Sequence, residues 1–569
     1  MVMNSQQNGV TGTEKILLAV LPYWDPLIPP MGISCMKSFL QQHHYAVRTV
    51  DANIETEFKE LYDRYFKTLA GFIPPQRRSN FYNIGKDVLR NHMMACFNKD
   101  KGHGYDELVK IIVARTFYID ITTPQARKLE RVVAEFYTRL EGYFRALLED
   151  EKPTVLGLSV FRGNVPASLF AFQRTRQWFP HIKTVMGGGI FADQLAPGSP
   201  DLEFLLKQAP YIDQVIIGEG EHLFLEFLRG ELTSKRVHGL EDIGGKVLDV
   251  STAAPPDFSD LQLQYYPHLG AYTSRSCPFQ CGFCSETVRW GRYRKKSAAR
   301  VVAELTELHR RYNFQLFMMS DSLLNPIITE LAQALSESQH SFYWDGYLRV
   351  DPQAGDPDTA LTWRRGGFYR ARLGVESGSQ RVLDLMGKRI TPQQIKEAVR
   401  NIASVGIKTT AYWLVGFPGE TEEDFQQTLD LVTELKDDIY EVDFNAFWYF
   451  VNGQVDSDKW REQGYLLYPP GAREMLILET RDLHCLPSRE ERFSRMNRFA
   501  QHLHRLGIHN PYSLNDIHRA DERWKKLHKN AVPSIIEFKE NGGYIDEAKG
   551  AKRLISAKNT IRLEDDWGF

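Results

Sequence analysis

The sequence predicts an α/β protein: a doubly wound parallel domain with a helical insertion, then a partial (β/α)6 barrel, then a mostly helical C-terminal region. Three observations predict it. Short, continuously apolar runs of strand length alternate with helical patterns in two separate stretches. About a hundred residues inside the first stretch switch to helical spacing. Beyond residue 460 the strand-like runs give way to polar and aromatic helical patterning.

After a polar tail at residues 1–13, Ile16 to Leu21 forms an apolar strand that ends in the breakers Pro22 to Pro26. Pro29, Pro30, Met31 and Gly32 then open a helical pattern carrying Ile33, Met36, Phe39 and Leu40. Further strands are expected at Ala46 to Val50, Val155 to Val160, Thr184 to Met186 and Gln214 to Ile217. Helical stretches between them make the sheet parallel. Its ligand edge should therefore hold Pro22, Asp51, Ser159, Arg162, Gly187 to Gly189 and Gly218 to Glu221. Residues 54–152 are rich in Tyr, Phe, Lys, Arg and Glu, with helical spacing from Leu129 to Leu148. They are too long for a loop and read as a helical insertion capping that edge.

Residues 251–270, with Pro255, Pro256, Asp257, Pro267 and Gly270, read as a linker. The second series has strands at Ala271 to Thr273, Leu316 to Met319, Tyr343 to Tyr347, Tyr369 to Gly374, Lys408 to Val415 and Asp443 to Phe450. Six β/α units in roughly 190 residues predict a partial barrel with its chemistry at the strand carboxyl ends. The expected units are 14–250, 265–460 and 461–569.

The chain has 569 residues, 43% hydrophobic and 25% charged, which excludes a disordered or fibrous polymer. Seventy Lys and Arg against 72 Asp and Glu leave a net charge of −2. That balance gives no general reason to bind nucleic acid or an anionic membrane. No apolar run approaches the ~20 residues needed to span a bilayer, and no signal-like segment opens the chain, so a cytoplasmic location is expected. Six cysteines are too few for a disulfide scaffold. Cys35, Cys96 and Cys485 stand alone and read as small buried hydrophobes.

The other three form Cys277-Pro-Phe-Gln-Cys281-Gly-Phe-Cys284, directly after a strand. This CxxxCxxC spacing lets three thiolates converge on one face of a loop, and three soft ligands suit iron–sulfur or zinc. A structural zinc would want a fourth Cys or His nearby, and none lies between Thr273 and His309. Three thiolates on a four-iron cluster would leave one iron open to a ligand.

These residues resemble the signature of the radical S-adenosylmethionine (SAM) enzymes, with Phe283 as its aromatic residue. The resemblance continues through Phe317 to Asp321 (second strand), Leu373-Gly-Val-Glu376-Ser377 (fourth strand, ribose) and Leu414-Val-Gly416-Phe417-Pro-Gly419-Glu420 (fifth strand, adenine). It implies a [4Fe-4S] cluster on Cys277, Cys281 and Cys284. SAM would then lie among Phe283, Arg294, Asp321, Glu376, Ser377, Gly416 and Phe417, with Arg294 on its carboxylate. An external electron donor such as flavodoxin or ferredoxin is also implied.

The first domain is similar to the cobalamin-binding domain of one class of these enzymes, through Pro22, Pro30-Met-Gly32, Asp51, the three glycines from Gly187, and Gly218-Glu219-Gly-Glu221. The implied cobalamin site holds Pro22, Trp24, Ser159, Arg162, Asn164, Gly187, Gly188, Gly218 and Glu219. No DxHxxG occurs, so no histidine is expected on cobalt, and Trp24, Arg162 or Asn164 would cover the lower face. The implied function is C-methylation of an unactivated carbon in a small molecule or peptide. The alternatives are a cyclase or rearrangement enzyme of the same architecture and a non-enzymatic cobalamin or iron–sulfur sensor. A methylthiotransferase is disfavoured, because that class carries three further N-terminal cysteines whereas only Cys35 and Cys96 lie there.

Overall fold

The computed structural model describes residues 14–23, 26–100, 104–232, 235–477, 481–510 and 514–528, with the side chains of 514 and 515 left out. The first sheet contains β1 (Lys15–Val20), β2 (Ala46–Asp51), β3 (Val155–Ser159), β4 (Lys183–Gly187), β5 (Gln214–Ile216) and β6 (Val237–His238), in the order β2-β1-β3-β4-β5-β6. Every pairing is parallel. The order reverses between β1 and β3, and ligands of such sheets bind beyond the strand ends at this switch point. Strand β6 is only two residues long, too short for periodicity to reveal it. β1 and β3 are apolar on both sides because helices cover both faces.

Between β2 and β3 the insertion is helical. After α1 (Met31–Gln42) it holds α2 (Thr56–Ala70), α3 (Phe81–Phe97), α4 (Tyr105–Phe117) and α5 (Thr123–Glu151). The last starts at a capping box of Thr122 and Gln125 and buries Leu129, Val133, Phe136, Leu140, Phe144 and Leu148 on one face. α3 reaches across to the second sheet, where Asn80 donates to the Phe444 carbonyl and Asn83 Nδ2 to Asn445 Oδ1 at 3.3 Å.

The stretch after residue 250 is no free tether. Lys37 of α1, only 2% exposed, donates to Ser259 Oγ at 2.7 Å and pairs with Asp257 and Asp260 at 3.2 and 2.8 Å. Tyr266 donates to the buried Asp51 Oδ2 at 2.7 Å.

The second half contains β7 (Leu269–Ala271), the short antiparallel pair β8 (Ser274–Arg275) and β9 (Arg294–Lys295), then β10 (Leu316–Met319), β11 (Tyr343–Arg349), β12 (Phe368–Glu376), β13 (Lys408–Val415) and β14 (Glu441–Ala446). The six long-range strands run β14-β13-β12-β11-β10-β7, all parallel and in sequence order, which makes a partial barrel open between β7 and β14. β14 ends four residues before the expected Phe450. Phe447 to Phe450 are apolar but leave the sheet, with Phe450 N donating to Gln454 Oε1 at 3.0 Å.

The C-terminal region carries the helices Arg489–Leu506 and Leu514–Leu527 and a short antiparallel pair, Gly464–Leu466 with Arg481–Leu483. No helix among the described residues is long and apolar enough to cross a membrane.

Candidate active site at the junction of the two sheets

The cysteine loop joins β8 to the helix Glu286–Trp290. Its root is held by Asp321, whose buried carboxylate accepts from Thr273 N at 2.9 and 3.0 Å, Thr273 Oγ1 at 2.8 Å and Ser274 Oγ at 2.6 Å. Cys281 is buried, while Cys277 and Cys284 are half-buried. Burial pushes the Cys277 thiol up and the Cys284 thiol to about 12; Cys281 adds to the rise at Cys277, and Cys281 and Cys277 add to it at Cys284.

Among the described residues no three His, Cys, Asp or Glu side chains converge as ligands of a single metal ion. A looser set of three thiols fits a cluster, in which each thiolate binds a different iron. Cations stand beside them. Arg349, at the end of β11, donates from Nη1 to Cys281 Sγ at 3.4 Å and lies 4.2 Å over the Phe279 ring. Lys388 lies 6.0 Å from the Phe283 ring centre and pairs with Glu376 Oε1 at 2.7 Å.

Glu376 closes β12 in the left-handed region, at φ 66°, with a register shift against β13 just before it. A non-glycine residue held there is a strained position of the sort found at ligand sites. Gly374 leaves the space that Glu376 and Lys388 fill, since a Cβ would sit 2.7 Å from the carboxylate and 2.8 Å from Nζ. Phe283 and Phe417 join Val382, Met386, Phe447, Tyr449 and Trp460 in one apolar cluster beside the loop. Gly416 has φ 75° and lies under the Arg492 side chain, leaving no room for a Cβ.

Three expected SAM contacts are placed otherwise. Arg294 bonds Glu219 and the Leu248 carbonyl, so its guanidinium is spent on the domain junction. Ser377 is fully buried, shares a hydrogen bond with Thr428 Oγ1 at 3.2 Å and accepts from Ser379 N at 3.1 Å. Asp321 is the loop's anchor.

In the first domain Pro22 is buried at the end of β1, and Trp24 lies outside the described residues. Ser159 ends β3. Asn164 is fully buried and closes the turn after it, accepting from Phe161 N at 2.9 Å and donating to the Ser159 carbonyl at 3.0 Å. Arg162 does reach the crevice. Its guanidinium lies 4.9 Å over Trp448 and 2.8 Å from Asp87 of α3, and its Nε is buried without a hydrogen-bond partner. Gly188, at φ 115°, is pressed against the Val160 backbone, and Gly187 and Gly218 leave open backbone at the ends of β4 and β5. An orphan guanidinium donor on an aromatic platform beside bare backbone fits a bulky polar ligand such as cobalamin. Glu219 is withdrawn from that role by its pairing with Arg275 and Arg294.

The carboxyl edges of the two sheets face each other. Arg289, just past the cysteines, lies against Gly189, and α3 spans from Arg162 to β14. The expected cap over the first domain's edge is thus α3, with Asp87 between Arg162 and Arg90. Sequence reading missed Arg349 and Lys388. Arg349 ends a strand and so sits where barrel chemistry collects, a signal that was available; Lys388, in a loop, gives none.

The Radical SAM superfamily model matches residues 272–432. The chain is 28% identical over 255 residues to an uncharacterized methyltransferase of Pyrococcus horikoshii, covering 41% of this chain and 55% of that protein. It is 26% identical over 350 residues to the anaerobic magnesium-protoporphyrin IX monomethyl ester cyclase of Rubrivivax gelatinosus, covering 57% and 61%. It thus spans less than two thirds of the length of either relative. Among solved structures, the radical SAM methyltransferase TsrM of Kitasatospora setae, with cobalamin and a [4Fe-4S] cluster bound, superposes with TM-score 0.57 at 14% identity over 93% of this chain and 99% of that one. The cobalamin-dependent radical SAM enzyme OxsB, with aqua-cobalamin and SAM bound, gives 0.50 at 15% identity over 75% and 52%. These likenesses show the fold alone: a Rossmann-like parallel domain joined to a partial β/α barrel, the arrangement shared with TsrM and OxsB.

Proposed function

We propose that this chain, whose residues 272–432 match the Radical SAM superfamily model, is a cobalamin-dependent radical SAM methyltransferase acting on an unactivated carbon. One observation carries the reading: the cysteine loop and the carboxyl edge of the first sheet meet at one junction, where Arg289 lies against Gly189 just past β4. When bound, the cluster supplies the electron that cleaves SAM to a hydrogen-abstracting 5′-deoxyadenosyl radical, and cobalamin supplies a methyl carrier. Cys277, Cys281 and Cys284 hold the cluster. Arg349 and Lys388 offset the negative charge of three thiolates in a half-buried loop. Glu376, fixed by Lys388, presents its second oxygen to the SAM ribose or amino group, and Phe283, Gly416 and Phe417 flank the adenine. Arg162 and the glycine backbones of the β4 and β5 ends hold cobalamin. α3 covers the junction between Arg162 and β14. A flavodoxin or ferredoxin serves as donor.

The test is anaerobic reconstitution with iron, sulfide and hydroxocobalamin, followed by reduction with methyl-labelled SAM. The reading expects retained cobalamin, 5′-deoxyadenosine and label on a substrate, with label transfer lost when hydroxocobalamin is left out. Cys281→Ala should abolish the cluster absorption and all SAM cleavage. Stoichiometric zinc with full activity in that variant would refute it. The long match to the cyclase supports a second reading, in which deoxyadenosine forms but no label is transferred.

A further inference from the structure

The segment 448–456 lies between the cysteine loop and the first domain and touches both. On one side it takes three consecutive carbonyls of the loop: Asp456 N donates to Gly282 O at 2.9 Å, Gln454 Nε2 to Phe283 O at 3.0 Å, and Val455 N to Cys284 O at 3.1 Å. The Asp456 carboxylate occupies the space beside Gly282 that a Cβ would take. On the other side Trp448 and Phe450 stack on Arg162, at 4.9 and 5.9 Å, and Asn452 Nδ2 donates to the Pro197 carbonyl at 3.4 Å. Gly453 packs against the Ala192 carbonyl, where a Cβ would stand 2.7 Å away.

Gln454 ties these two sides together. It is 6% exposed, and every polar group of its side chain is engaged: Nε2 also donates to the Trp448 carbonyl at 2.9 Å, and Oε1 accepts from Phe450 N at 3.0 Å. No other residue type of that length offers two donors and an acceptor on one planar group. The site proposed above assigns it nothing.

We propose that Gln454 is a positioning residue: through it, the 448–456 segment acts as a strap fixing the cysteine loop at a set distance from the crevice around Arg162. This rests on the functional reading only for what the distance serves, because the strap itself is built from the chain's own groups. Gln454→Glu keeps the shape but turns a carboxylate oxygen toward two carbonyls. Gln454→Met keeps the packing and removes donors and acceptor alike.

The test is hydrogen–deuterium exchange on the full chain without metal, comparing both variants with the unaltered protein. Expected is exchange faster by about tenfold or more in peptides covering 277–290 and 189–197, with peptides of the helix Ala298–Tyr312 unchanged. Unchanged exchange in the two target regions would overturn the proposal, as would an equal rise throughout the chain, which marks loss of fold. In the iron-loaded, reduced protein the variants should give a broadened cluster spectrum at unaltered iron content, and an identical spectrum also counts against the strap. Failure of the unaltered chain to hold a four-iron cluster would instead strike the functional reading, with exchange still deciding the strap.

Discussion

Arg275 and Glu219 meet across the domain junction at 2.8 Å, with side chains only 9% and 2% exposed. Arg275 stands two residues before the first cysteine, and Glu219 belongs to the glycine-flanked turn after β5. Arg275 also bonds Glu221, and Arg294 shares Glu219, so one buried and one half-buried guanidinium balance two buried carboxylates. Removing one charge leaves this network unbalanced in a low-dielectric setting. Glu219→Gln should cost about 3–5 kcal/mol in urea unfolding. A loss under about 1 kcal/mol, typical of exposed pairs, would show the network to be solvated.

Glu376 and Ser377 are neighbours with opposite expected behaviour. Glu376→Ala should keep its iron and lose about 1.5–3 kcal/mol of SAM binding, the worth of a charge-assisted hydrogen bond. Ser377→Ala, whose hydroxyl points to Thr428, should bind SAM as before and lose about 1 kcal/mol of stability. Titration calorimetry with SAM on both variants separates the roles, and equal losses would contradict the assignment.

Burial pushes Glu420 up to about 7 although Arg495 donates to it at 2.8 Å. The folded chain then holds a proton between the ordinary 4.5 and about 7 that the unfolded chain releases. This contribution to stability is complete below 4.5 and disappears as pH rises through 7. Glu420→Gln should flatten the fall of unfolding free energy over that window by about 3 kcal/mol, as read from denaturation series at several pH values. Parallel curves for the two proteins would remove Glu420 as the cause.

Gly187 and Gly188 offer a paired control. At Gly188, φ 115°, a Cβ would collide with the Val160 carbonyl and stand 2.6 Å from its nitrogen, whereas at Gly187 the nearest atom is 3.8 Å away. Gly188→Ala should cost about 3 kcal/mol or more and Gly187→Ala under about 1 kcal/mol, checked by thermal unfolding. Similar melting temperatures would mean that the loop yields.

The strands that read clearly were those buried on both faces: Lys408–Val415 and Leu316–Met319 appear with the bounds that the apolar runs imply. Val237–His238 could not be read, because two residues carry no period. In the site, the cysteine spacing is local and therefore legible. Charged residues are hard to place for a different reason: Arg294, Glu219 and Asp321 lie at the strand ends and loops where ligand groups belong, but their partners are 75, 75 and 48 residues away in the chain. Only the packed fold reveals that each already has one. Gln454 lies beyond the barrel, where nothing in its neighbours marks it.

Lys37 bears on how the molecule is to be divided. The proline-rich stretch that looks like a hinge is fastened to the first sheet by that buried ammonium, by Asp260 at Thr49 N, and by Tyr266 at Asp51. A fragment stopping at residue 250 would lose both counter-ions of Lys37 together with the segment that covers it, and would bare the apolar surface of the first domain on which that segment packs. It should be recovered as insoluble material, whereas one ending after Tyr266 takes its own counter-charges with it. Severing the halves there, rather than at the apparent tether, is the way to obtain the N-terminal piece for ligand-binding work.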